Sequence, residues 1–106
     1  MTSWFALTLA GLFEIGFTTC MKLSDSFTQH IYTAGFLLCA VFSFYFLSKS
    51  LATIPLGTAY AVWTGIGAFG TAIIGIVFFK DPSSTARMIL LLLLIGSILG
   101  LKFIAD

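Results

Sequence analysis

Four apolar runs, each about as long as a membrane-spanning helix, fill nearly all of this chain, and only one carries a charge in its middle. A helix crossing the hydrocarbon layer needs about 20 predominantly apolar residues. The expected helices span about residues 3–22, 28–48, 55–79 and 85–104, within a single four-helix transmembrane unit over residues 1–106. Short polar breaks separate them: Lys22-Leu23-Ser24-Asp25-Ser26, then Ser48-Lys49-Ser50, then Lys80-Asp81-Pro82-Ser83-Ser84. Pro55 suits a first helical turn, and Ser83, Ser84 or Thr85 is placed to cap the fourth helix. The first run lacks a basic leader and a small-residue cleavage site, so it reads as a retained helix rather than a signal peptide.

Charge is too scarce for the alternatives. Only 8% of the 106 residues are charged and 59% are hydrophobic, with mean hydropathy +1.12. A soluble domain carries about 25% charged residues. A formal net charge of +1 leaves no basic patch for nucleic acid. The fold class expected is therefore an all-α integral membrane protein, whose first partner is the lipid bilayer. Its loops are too short to build a nucleophile–base pair, so no enzyme is expected. No cofactor and no metal is implied. Cys20 and Cys39 lie inside apolar runs without metal-ligand spacing and read as small core residues.

Cationic residues decide orientation in such chains. Lys22, Lys80 and Arg87 fall on the side of the first and third loops, and Lys49 and Lys102 on the other. Three against two is almost no bias, so insertion in both orientations is expected, which allows two copies to pair antiparallel. All five cations sit near helix ends, where long side chains snorkel to the interface. His30 is expected at that interface too. Four short helices enclose a mid-membrane site poorly, whereas eight are enough to wall one off. Gly96 and Gly100 form a GxxxG pattern, which lets helices approach closely. A dimer contact and packing within the chain are both open to it.

Glu14 is the one ionisable side chain deep inside a run. Such a group costs about 2.5–3.5 kcal/mol on insertion scales, and persists mainly where it handles ions, substrates or protons. A carboxylate that holds either a proton or a cation couples the two fluxes, which is the minimal chemistry of antiport. Two such groups in a dimer titrate in coupled steps. Ala10, Gly11, Phe17 and Thr18 share its helix face, the small pair leaving room for a ligand. Tyr60 and Trp63 stand three residues apart on the third helix, where their rings suit a cation and their O–H and N–H suit a carboxylate. Ser43 is placed to donate to Glu14 or to bond within its own helix. Gly65 and Gly67 permit either bending or close packing, and Gly67, Thr71 and Gly75 form a small-residue stripe.

The stretch Pro55-Leu56-Gly57-Thr58-Ala59-Tyr60-Ala61-Val62-Trp63-Thr64-Gly65-Ile66-Gly67-Ala68 resembles the signature of the small multidrug resistance transporters. Length, four runs and one membrane glutamate agree over essentially the whole chain. Trp-Thr-Gly-Ile-Gly-Ala, Ser43-Phe44-Tyr45 and Gly100-Leu101-Lys102 are similar to the guanidinium-exporter branch. The resemblance implies an antiparallel, dual-topology dimer in the inner (cytoplasmic) membrane that exports small organic cations against protons by alternating access. Glu14 would be the shared proton and substrate site, lined by Tyr60, Trp63 and Ser43, with Gly65 and Gly67 as the hinge. The branch usually has tryptophan three residues after the glutamate. Phe17 stands there and keeps the aromatic face without the N–H, for which Thr18 or Thr19 is a candidate replacement. Export of hydrophobic quaternary ammonium compounds, or a role as one subunit of a heterodimer, is the alternative.

Overall fold

The computed structural model describes residues 2–105; Met1 and Asp106 of the expected 1–106 unit lie outside the described residues. All regular structure within these bounds is helical: α1 Thr2–Leu23, α2 His30–Ser50, α3 Leu56–Phe78 and α4 Thr85–Ala105. All four are long and apolar enough to cross a membrane. Large apolar side chains such as Phe5, Ile31, Leu38 and Phe103 are widely exposed on their outer faces, as a lipid solvent requires.

The ends follow local chemistry. Ser24 is fully buried and organises the first loop. Its hydroxyl donates to Met21 O at 2.7 Å and accepts from Phe27 N at 3.1 Å. Asp25, Ser26 and Phe27 are left-handed, at φ 49°, 60° and 67°. Thr28 N and Gln29 N both turn back to Ser24 O, so α2 starts at His30 rather than at the expected residue 28. Pro55 caps α3 from outside, with an extended ψ of 145°. Ser84 Oγ accepts from Arg87 N at 3.2 Å and caps α4, one of the three expected residues.

Packing is uneven. α1 and α2 run antiparallel along a seam of small residues in which Cys39 Sγ lies against Gly16 and Cys20 Sγ against Gly35. Both thiols are free and half-buried and fill glycine gaps as packing groups. α1 and α3 run parallel, with Ile66 over Gly11 and Ile15 over Gly70. The dry core occupies the first halves of these helices: Leu7, Ala10, Ala59, Val62 and Trp63, closed by Ile54 and by Ile98 of α4. The second halves are looser and open toward the first and third loops. α4 rests on α3 through Leu94, Ile95 and Ile98. The cations stand at the bundle ends as expected, with Lys22 Nζ 5.9 Å from the Phe79 ring and Lys102 Nζ 5.3 Å from that of Trp4.

Candidate functional site

Glu14 sits where the dry core ends. Its helix brings it against α3, and its carboxyl lies on Gly67, filling the volume that a Cβ there would need. Any larger residue at 67 collides with the carboxyl. The side chain is half-buried, but Oε1 is fully buried and has no hydrogen-bond partner among the described residues. A buried acceptor left unpaired costs about 1–3 kcal/mol, and more when charged. The carboxyl faces a cleft of about 350 Å³ that it shares with Thr18, Thr64, Gly67, Thr71 and Asp81. A second cleft, of about 160 Å³, continues from Thr18, Thr71 and Asp81 to Lys22 at the loop end. A lane therefore runs from Glu14 toward the loop end between α1 and α3, with Thr18, Thr71, Asp81 and Lys22 set among small and apolar residues.

The other candidates gather on a different side of Glu14. Ser43 is fully buried, and its hydroxyl donates to Ala10 O of α1 at 2.7 Å. It also accepts the Trp63 indole N–H at 3.0 Å. This corrects both expected partners of Ser43: its one hydrogen goes neither to Glu14 nor to its own helix. A hydroxyl has a single hydrogen, and the Ala10 carbonyl one turn before Glu14 takes it. The Trp63 N–H is likewise committed to Ser43 rather than to a carboxylate. Three helices are thereby tied at one oxygen.

Around that tie lies an aromatic chain. The Tyr60 and Trp63 rings are 5.7 Å apart, Trp63 and Phe44 5.5 Å, and Phe44 and Phe17 6.2 Å. Phe17 continues to Phe36 at 5.7 Å. Phe17 thus turns toward α2, away from the α3 side on which the carboxyl rests. Tyr60 is 58% exposed, whereas Trp63 is buried.

The glycines divide by role. α3 is unbroken from Leu56 to Phe78, so in this conformation Gly65 and Gly67 act as close-packing positions and not as a kink. A Cβ at Gly65 would meet Ile98 Cδ1 at 2.6 Å. Gly96 and Gly100 are exposed, and an added Cβ at either meets no atom of another element within 4 Å, so among the described residues the GxxxG pattern takes no part in helix packing.

Thr64, Thr71 and Asp81 were not expected in the cleft. Thr64, Gly67, Ala68 and Thr71 recur at helical spacing on one face of α3, a signal hidden by the reading of Thr71 as merely small. Neither Thr18 nor Thr19 donates to Glu14 as a replacement for an indole N–H: both hydroxyls bond Ile15 O, at 3.0 and 2.8 Å. Thr18 also pairs with Thr71, oxygen to oxygen, at 2.7 Å.

Comparison with known proteins shows the family. The family described as Small Multidrug Resistance protein matches residues 2–94. The chain belongs to the small multidrug resistance family. Its relatives include a guanidinium exporter of Yersinia pseudotuberculosis, 41% identical over 100 residues, covering 94% of this chain and 96% of the relative. A guanidinium exporter of Citrobacter freundii is 41% identical over 94% of this chain and 95% of its own. Another, from Salmonella typhimurium, is 40% identical over 103 residues, 97% and 98% of the two chains. This small multidrug resistance protein is accordingly a multi-pass membrane protein.

Proposed function

We propose that the protein exports small, guanidinium-like organic cations across the cytoplasmic membrane in exchange for protons, by alternating access of a site centred on Glu14. The observation that carries this reading is the buried Oε1 of Glu14, which has no partner among the described residues, at the head of the lane bearing Thr18, Thr71 and Asp81. A buried acceptor in that position calls for a proton or a cationic donor, and the two exclude each other on one carboxylate. Planar guanidinium pairs bidentately with a carboxylate, and the names of the relatives point to the same ion. Ser43 and Trp63 support the site from behind by holding α1, α2 and α3 in register, while Phe17 packs on α2 behind them and the exposed Tyr60 offers a ring face beside Trp63. Gly65 and Gly67 give α3 the freedom to bend between states.

The functional unit on this reading is an antiparallel dimer. Glu14 lies in an open cleft that a second copy would close, and the exposed Gly96 and Gly100 offer a close-packing face. Its near-balanced end charges permit both insertions.

Purified protein in liposomes, perfused with guanidinium, tests the reading. Transport currents are expected from the wild type and none from Glu14→Gln. Uphill cation movement driven by a proton gradient in Glu14→Gln would overturn it. A second reading, export of hydrophobic quaternary ammonium ions, draws on the ring chain from Tyr60 to Phe36, which offers cation–π faces without donors. It predicts currents with a tetraalkylammonium ion alone.

A further inference from the structure

On the reading of the protein as an exporter of guanidinium-like cations, we propose that the Thr71 hydroxyl is a specificity-determining acceptor that binds a substrate N–H beside Glu14 and thereby favours N–H-bearing cations over tetraalkylated ones.

The lone-pair count carries this. Thr18 Oγ1 lies within donating distance of Ile15 O, at 3.0 Å. The 2.7 Å contact between Thr18 and Thr71 can take its hydrogen from either hydroxyl. Whichever hydroxyl donates, Thr71 Oγ1 keeps a free lone pair with which to accept an N–H. It lines the same cleft as Glu14, where Oε1 is a second acceptor without a donor among the described residues. The register fixes their relation. α1 and α3 are parallel, Glu14 rests on Gly67, and one turn further along each helix Thr18 meets Thr71. The two acceptors are thus about 6 Å apart along the helix axis, on facing surfaces of one cleft.

A cation with several N–H groups in one plane satisfies both. Two N–H bonds go to the carboxylate, and a third, on another nitrogen, reaches Thr71. A tetraalkylammonium ion has no N–H and leaves the hydroxyl unpaired, and a buried polar group left unpaired is how a site rejects the wrong ligand. Phe17 contributes no donor, so the selection acts through an acceptor in the substrate's path.

The test is transport by the full-length protein in liposomes, with guanidinium and with tetrapropylammonium, for the wild type, Thr71→Val and Thr71→Ser. Valine keeps the shape and the β-branch and removes only the hydroxyl chemistry. Thr71→Val is expected to raise the KM for guanidinium about tenfold, the usual worth of one hydrogen bond to a charged group. It should leave tetrapropylammonium unchanged or improved, and Thr71→Ser should restore guanidinium. An equal loss with both ions, or a loss that serine does not restore, would assign Thr71 to packing and overturn the proposal. An unchanged guanidinium KM in Thr71→Val would overturn it while leaving the exporter reading intact. No guanidinium transport by the wild type would overturn both.

Discussion

The Glu14 carboxyl occupies the space of the missing side chain at Gly67. One residue on α1 and one on α3 thus set the depth of the candidate site. The glycine lets the carboxyl lie flat on the neighbouring backbone, so the cleft beside it stays open.

Gly67→Ala should expel the carboxyl from that position. The added Cβ meets the carboxyl carbon and oxygens of Glu14, so the carboxyl must swing away from its seat into the cleft. A displacement of about 1 Å at a reacting group costs up to about 100-fold in rate. Guanidinium transport should therefore fall about 10- to 100-fold while helix content and insertion are unchanged. Transport at the wild-type rate, with circular dichroism unaltered, would show that the carboxyl works from a different place.

Ser43 and Trp63 should behave as one unit. Ser43→Ala leaves the Trp63 N–H buried without its acceptor and frees the Ala10 carbonyl from α2. The expected loss is about 1–2 kcal/mol, since an orphaned buried donor costs about 1–3 kcal/mol in water-soluble proteins and somewhat less in membranes. Trp63→Phe removes the donor and should cost a similar amount. The double variant should then be little worse than either single one, the signature of residues sharing an interaction. Thermal unfolding in detergent measures all three. Additive losses would mean that the two residues stabilise the bundle separately.

Periodicity and charge made the four helices legible because the membrane allows little else. The helix ends were less so. The start of α2 depends on three left-handed residues wound around Ser24, and nothing in Asp25-Ser26-Phe27 announces them. At the site, Glu14 stood out by the cost of its charge. The partners of Ser43 could not be read, because a hydroxyl bonds whichever acceptor the neighbouring helix presents, and that was the Ala10 backbone. Thr71 was visible as a small residue. Its chemistry emerged only once parallel packing of α1 on α3 set it against Thr18.

The exposed glycines of α4 separate assembly from folding. Among the described residues, a Cβ added at Gly96 or Gly100 meets no other element, so valine at both positions should leave the isolated chain folded. If α4 forms the dimer contact, the paired substitution blocks backbone approach and should weaken dimerisation at least about tenfold, a change of about 1.4 kcal/mol. Energy transfer between labelled copies in liposomes reads this directly. Undiminished dimer with both valines in place would move the contact elsewhere.

Orientation supplies the last prediction. The side bearing the first and third loops holds Lys22, Lys80 and Arg87, against Lys49 and Lys102 on the other. Combining Ser83→Arg with Lys49→Ser makes the ratio four against one, a bias large enough to fix insertion. Both positions are exposed at the ends of the bundle, so the fold should tolerate the changes. A reporter at the C-terminus should then shift from both sides of the membrane to one. In an antiparallel dimer every productive pair needs one copy of each orientation, so transport should fall in proportion to the loss of the minor orientation. Adding a second variant biased the opposite way should restore it. Full transport from a uniformly oriented population would show that two parallel copies, or a single copy, suffice.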